Sequence, residues 1–340
     1  MPSIPLLRAA WLACIGAALA APALAQSPTL DAVRQRGTIN CGVSPNLPGF
    51  SAPDSRSVMQ GLEADSCRAI AVALFGDADK VRFVPTTVQN RFTALQSGEV
   101  DVLIRNTTWT LSREGALGLL FAPANFYDGQ GFIVKKSSGV TSARDLNGAS
   151  ICVQPGSTTE LNLQDYFRTT NMTFTPVVIG DTEEIFKAFI AGRCDAYTTD
   201  ASSLASFRAR QGANAEQYVI LPDLISKEPL APAVRKGDDR WFDIVRWSFF
   251  AQLIAEELGI NSQNIDSFMT SRNPEIRRFL GLEGNMGKPL GLDDRWAYNI
   301  IKQVGNFAEM WDRTMGAMGV QRGINNLWNK GGIQYAPPMR

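Results

Sequence analysis

Short apolar runs alternate with amphipathic stretches along most of this chain, the pattern of strands interleaved with helices. Thr38–Val43, Val81–Val84 and Val100–Ile104 read as strands, with a helix over Leu62–Phe75 between the first two. Gly131–Lys135 reads as a further strand, placed to carry the chain across to a second unit. There, strands are expected at Ser150–Val153, Pro176–Ile179 and Tyr218–Leu221, and a helix from Thr158. Ser226–Val234 looks extended and could bring the chain back. From Asp238 onward the pattern is helical, with a long amphipathic run over Trp241–Leu258 whose Trp and Phe residues have core spacing. Such alternation predicts α/β lobes with largely parallel sheets, joined by two crossings that form a hinge.

The two halves repeat. A shift of 94 positions lays Phe92 on Phe186, Ala94 on Ala188, Gly98 on Gly192 and Asp101 on Asp195. Each copy reads as an amphipathic helix, a glycine in the stop position, then a strand. The same shift lays Asn106 on Asp200, just past the two strand ends. Ligands in open α/β sheets bind outside the carboxyl ends of strands, so two such ends facing each other would define one cleft.

Composition narrows the chemistry. There are 33 basic and 33 acidic residues and no histidine among 340. A cancelled charge gives no pointer to nucleic acid or an anionic membrane. The missing histidine removes Ser-His-Asp and Cys-His catalysis and the commonest zinc ligand. Residues 1–25 read as a secretory signal: Arg8, an apolar run over Ala9–Ala21, and the small-residue site Ala23-Leu-Ala25, with cleavage after Ala25. Cys14 stands in a poor lipid-attachment box. No later segment is long and apolar enough to span a bilayer. The expected product is exported and monomeric, without direct membrane insertion, nucleic-acid partner, metal or cofactor.

Four cysteines follow the signal: Cys41, Cys67, Cys152 and Cys194. They lack a Cys-x-x-Cys pair, and export favours disulfides over a metal site. Three connectivities are open. We favour Cys41–Cys67 and Cys152–Cys194, which keep each bridge within one lobe.

Five segments carry a resemblance. They are Asn106-Thr-Thr-Trp-Thr-Leu-Ser-Arg113, Tyr127-Asp-Gly-Gln-Gly-Phe132, Cys152-Val-Gln-Pro-Gly-Ser-Thr-Thr-Glu-Leu-Asn162, Gly192-Arg-Cys-Asp-Ala-Tyr-Thr-Thr-Asp200 and the tail Leu327–Pro338. In order along the chain, they resemble the periplasmic substrate-binding proteins of ABC amino-acid importers, within them the general L-amino-acid-binding proteins of proteobacteria. The resemblance implies a two-lobed, type II-like periplasmic-binding-protein fold: lobe 1 over 26–129, lobe 2 over 130–225, and a return with a helical extension over 226–340. It also implies a membrane permease as partner.

Residue by residue, Arg113 would grip an α-carboxylate and Asp200 an α-ammonium. This suits a guanidinium that binds carboxylates through paired hydrogen bonds and a carboxylate that accepts from an ammonium. Asn106 and Thr108 match first-lobe positions that lend hydrogen bonds. Ser157 and Thr158, opening a helix, match a turn that meets the carboxylate. Phe50 falls where the family places an aromatic ring over the ligand. Gln60-Gly-Leu-Glu-Ala-Asp65 departs from the family's Gly-aromatic-Asp-x-Asp signature, which leaves side-chain preference open. Two rivals stand beside this reading. One is a periplasmic cyclohexadienyl or arogenate dehydratase on the same fold, with Glu63 or Glu160 as general acid. The other is a ligand-loaded partner of a membrane sensor. Against the enzyme, no carboxylate stands in an evidently apolar setting that would raise its pKa.

Overall fold

The structure, a computed structural model, describes residues 27–340; the signal segment lies outside the described residues. Strands β1 (Ile39–Val43), β2 (Val81–Pro85), β3 (Val102–Leu103), β4 (Leu119–Phe121), β5 (Gln130–Lys135), β6 (Ser150–Val153), β7 (Thr175–Val178), β8 (Ala196–Asp200), β9 (Tyr218–Ile220) and β10 (Ala233–Arg235) form two five-stranded sheets. The first has the order β2-β1-β3-β10-β4, the second β7-β6-β8-β5-β9. In each, three strands run parallel in the order second, first, third, and the fourth joins antiparallel. The repeat seen in the sequence is therefore a repeat of topology. Its helices are Arg91–Ser97 and Thr182–Ile190. Both copies turn out of the helix through a left-handed glycine, Gly98 (φ 81°) and Gly192 (φ 78°), where a side chain would be strained.

The crossing differs from expectation. Gly131–Lys135 lies inside the second sheet, because Phe132 and Val134 fill one side of that lobe and Ile133 the other. The chain crosses instead at Phe126–Asp128, a three-residue strand too short to show alternation, and returns at Glu228–Leu230. These two pair antiparallel with Glu228 opposite Asp128. Pro232, which has no N–H to donate, separates the returning strand from β10.

Both favoured disulfides are present, with Cα–Cα distances of 6.2 Å (Cys41–Cys67) and 5.7 Å (Cys152–Cys194). Closing loops of this size stabilises by roughly 3–4 kcal/mol each in the chain-entropy view. The C-terminal helices pack on the first sheet. Helix Asp239–Glu257 buries Trp241, Phe249 and Phe250 in one core with helix Leu62–Phe75, Trp296 and Trp311. Beyond them Asn325 clasps the crossing strand in both directions: its Oδ1 accepts from Tyr127 N (2.7 Å) and its Nδ2 donates to Tyr127 O (2.9 Å).

Candidate functional site

The carboxyl ends of β3 and β8 face each other, and the residues just past them meet. Asn106 Nδ2 donates to Asp200 Oδ2 at 3.2 Å, joining the two positions that the repeat aligns. Asn106 holds φ at 27°, a left-handed backbone that Asn tolerates better than most residues. Its backbone N–H donates to Glu63 and its Oδ1 accepts from Arg105 Nη1 at 3.2 Å. Asp200 opens helix Ala201–Arg210 but makes no side-chain cap bond; its carboxylate is turned to the cleft instead.

Arg113 lies across the cleft in helix Leu111–Ala116, 8% exposed, where its backbone N–H is capped by Thr110. The guanidinium rests over the Phe92 ring (5.2 Å to the centroid) and donates through Nη1 to Thr108 O at 2.7 Å. Among the described residues no acceptor takes its Nε or Nη2, and no ion pair engages Arg113 or Asp200. Burial pushes the Arg113 pKa down, countered by Glu228 and Asp200. Burial pushes Asp200 well above the carboxylate range, and Asp128 and Glu228 add to it by like charge. Asp128, held by Ser202 and Gly129 N–H, is itself raised to about 6 by burial. A buried guanidinium with free N–H groups thus faces buried carboxylates that make no direct ion pair among the described residues, although Arg91 and Arg105 stand near enough to favour the ionised Asp200.

Glu228, which no sequence motif singles out, joins the lobes. Its Oε2 accepts from Thr108 Oγ1 (2.5 Å) and Thr158 Oγ1 (3.0 Å), and its Oε1 from Asn162 Nδ2 (2.7 Å) and Ser226 Oγ (2.6 Å). Thr108 belongs to the first half and Thr158 and Asn162 to the second, with the two hydroxyls 3.3 Å apart. The only available signal was a lone acid inside an otherwise apolar returning strand.

Next to these contacts a cavity of about 210 Å³ opens between the lobes. Ser44, Asn46, Thr86 and Arg105 line it from the first lobe, and Gln154, Tyr197, Thr199 and Ser203 from the second.

The profile of the bacterial extracellular solute-binding proteins, family 3, matches residues 39–270. The chain belongs to that family. The general L-amino acid-binding periplasmic protein AapJ of Rhizobium johnstonii is 52% identical over 335 residues, 96% of this chain and 98% of the relative. The glutamate/glutamine/aspartate/asparagine-binding protein BztA of Rhodobacter capsulatus is also 52% identical, over 98% of this chain and 99% of its own. A solved periplasmic binding protein from Brucella ovis with glutathione bound shares 51% identity at a TM-score of 0.89, covering 92% of this chain and 99% of that one.

Within this solute-binding fold, Arg113, Asp200, Asn106, Thr108 and Thr158 are brought together. Thr108 and Thr158 direct their hydroxyl protons at Glu228, leaving their lone pairs for a donor. Ser157 is drawn into the helix start, its Oγ accepting from Glu160 N (3.1 Å) and donating to Gln154 O (2.7 Å). Phe50 is a correction. It is 1% exposed and packs on Phe126 in the first-lobe core, centroids 5.2 Å apart, not over the cleft. Its loop is pinned there because Phe50 O accepts from Glu63 N at 2.9 Å. Gly61 lies so close that a Cβ would stand 2.2 Å from that oxygen.

Of the two candidate general acids, burial raises the pKa of one, outside the cavity. Glu63 is 2% exposed and raised to about 7 by burial, against the pull of Asn106 N–H, Arg105, Ser51 and Arg91. Its oxygens are engaged by Asn106 N and Ser51 Oγ, and it is absent from the cavity wall. Glu160 accepts from Gly156 N at 2.8 Å at the exposed helix start. Neither is placed as a general acid on a bound molecule.

Proposed function

We propose that this protein captures free L-amino acids between its lobes in the periplasm and delivers them to the membrane permease of an ABC importer. The carrying observation is the pairing of Arg113, with its unused N–H groups, and Asp200, which makes no ion pair among the described residues, across one closed cleft. A zwitterion loses strong hydration on burial, so both of its charges need fixed partners, and this cleft supplies one of each sign. The molecules named for the relatives share that feature, since amino acids and the γ-glutamyl end of glutathione each carry an α-carboxylate and an α-ammonium. Arg113 would take the carboxylate, Asp200 the ammonium, and Asn106, Thr108 and Thr158 the remaining polar contacts. Secretion with cleavage after Ala25, a monomeric state, and lobes bounded at 26–129, 130–225 and 226–340 complete the reading.

The test is a thermal-shift screen of refolded, ligand-stripped protein against the twenty L-amino acids and prephenate. Several amino acids are expected to stabilise it, by about 4 kcal/mol at a thousandfold excess over Kd. Silence from all of them would sink the clamp, and turnover of prephenate would move the assignment to the dehydratase.

Glu228 adds a second expectation. Glutamine offers one acceptor oxygen for four donors, and a hydrogen bond to a charged group contributes roughly 1.5–3 kcal/mol. Glu228→Gln should therefore disfavour lobe closure and lower the apparent affinity for a stabilising amino acid about tenfold. Calorimetric titration beside small-angle scattering checks this; unchanged affinity with unchanged compaction would remove Glu228 from the closing mechanism.

A further inference from the structure

The anchors at Arg113 and Asp200 read only what all amino acids share, so selectivity must lie in the adjoining cavity. Its most deeply buried charge there is Arg105, 5% exposed at the end of β3. The guanidinium is fixed on two sides: Nε donates to Thr86 O at 3.0 Å and Nη1 to Asn106 Oδ1 at 3.2 Å. No acceptor among the described residues takes Nη2, and no carboxylate lies within ion-pair distance. Of the acids nearby, Asp200 faces the cleft beyond Asn106, and the others are already engaged. Glu63 is held by Asn106 N and Ser51. Glu183, on the opposite wall, is gripped by Arg210 through bonds of 2.7 and 2.8 Å, and also accepts from Asn46 at 3.3 Å. Asp181 caps helix Thr182–Ile190 by accepting from Glu184 N at 2.9 Å. The rest of the wall combines neutral polar residues, Ser44, Thr86 and Gln154 among them, with the apolar Leu47, Val88 and Phe186.

A buried guanidinium with a free edge, in a cavity whose acids are neutralised or turned away, recognises an oxygen acceptor, above all a carboxylate. We propose that Arg105 reads the distal end of the ligand and makes this an acceptor-selective site, preferring acidic and amide side chains over apolar ones of equal length. The inference rests on the amino-acid reading and adds the residue that discriminates. Arg105 is held by Asn106, and Asn106 bonds Asp200, so the distal reader and the ammonium anchor share one rigid support. A site that leaves a buried donor unpaired penalises any ligand without the matching acceptor.

The experiment is calorimetric titration of refolded wild type, Arg105→Gln and Arg105→Lys with L-glutamate and L-norvaline. The two ligands share a five-carbon chain and differ by the distal carboxylate. Wild type should bind glutamate at least thirtyfold tighter than norvaline, a comparison that needs no variant. In Arg105→Gln that ratio should fall to within threefold, over and above any loss common to both ligands through Asn106. Arg105→Lys, which keeps the charge and loses the fork, should restore part of it. Equal losses for both ligands would make Arg105 a support for Asn106 only and overturn the proposal, as would a wild-type ratio near one. In either of those cases the amino-acid reading survives. Failure of wild type to bind either ligand or any other amino acid would instead remove that reading, and this inference with it.

Discussion

Arg113→Ala is expected to weaken amino-acid binding at least a hundredfold. The side chain reaches the cleft with its Nε and Nη2 unengaged, while Nη1 is held on Thr108 O and the plane rests over Phe92. It is thus oriented before any ligand arrives, and little rotamer entropy is lost on binding. Two hydrogen bonds from a guanidinium to a carboxylate, at roughly 1.5–3 kcal/mol each, amount to two decades or more at about 1.4 kcal/mol per decade. The loss also removes a positive charge that acts on Asp200 and Glu228, so the like-charge pressure that already raises Asp200 would be less opposed. Arg113→Lys should fall between, keeping the charge without the planar fork. Isothermal titration with the best amino acid from the screen decides it, with the melting temperature of the free protein as a fold control. Unchanged affinity in Arg113→Ala would show that the carboxylate is gripped elsewhere.

What the sequence disclosed follows from what leaves a local trace. Helix Leu62–Phe75 is seen to the residue because apolar spacing and a glycine at the next position mark both its faces and its end. The repeat was visible because left-handed turns admit few residues besides glycine, so Gly98 and Gly192 stand at matching places. Arg113 and Asp200 came through motif resemblance, and position in the repeat pointed separately to Asp200. Glu228 and Arg105 left no such trace. Each is one charged residue in a short segment, Glu228 in a strand and Arg105 in the bend after one, and its meaning comes from partners elsewhere in the chain, Thr108 and Thr158 for one and Thr86 for the other. Phe50 was misplaced for the converse reason. An aromatic ring in a Pro/Gly loop can cover a ligand or a core, and only the tight seat against Gly61 and Phe126 decides which.

Raising the pH from 5 to 8 is expected to destabilise the ligand-free protein through Glu63, by about 3 kcal/mol. A carboxyl whose folded pKa stands near 7 against an ordinary 4.5 binds more protons folded than unfolded. Stability therefore falls as pH climbs through that window and is flat outside it, at about 1.4 kcal/mol per unit of difference. Burial favours the protonated form against Arg105 and Arg91, and proton counting around Ser51 acts in the same direction as burial. Ser51 Oγ lies 3.1 Å from Glu63 Oε2 and 3.0 Å from Ser44 O, with one proton to give. When Glu63 carries a proton it can donate to Ser51 and leave that hydroxyl's hydrogen for Ser44 O, while Asn106 N still donates to its other oxygen. When Glu63 is ionised, one of the two acceptors loses its donor. A glutamine reproduces the protonated arrangement, with an oxygen for Asn106 N and an amide for Ser51. Glu63→Gln should thus remove Glu63's share of the slope, leaving that of Asp128 and Asp200, and exceed wild type at pH 8 by up to about 3 kcal/mol, measured by urea unfolding across pH. A parallel slope in both proteins would show instead that Arg105 and Arg91 keep Glu63 ionised throughout. The positive charge available to a ligand's distal carboxylate would then already be partly offset from within.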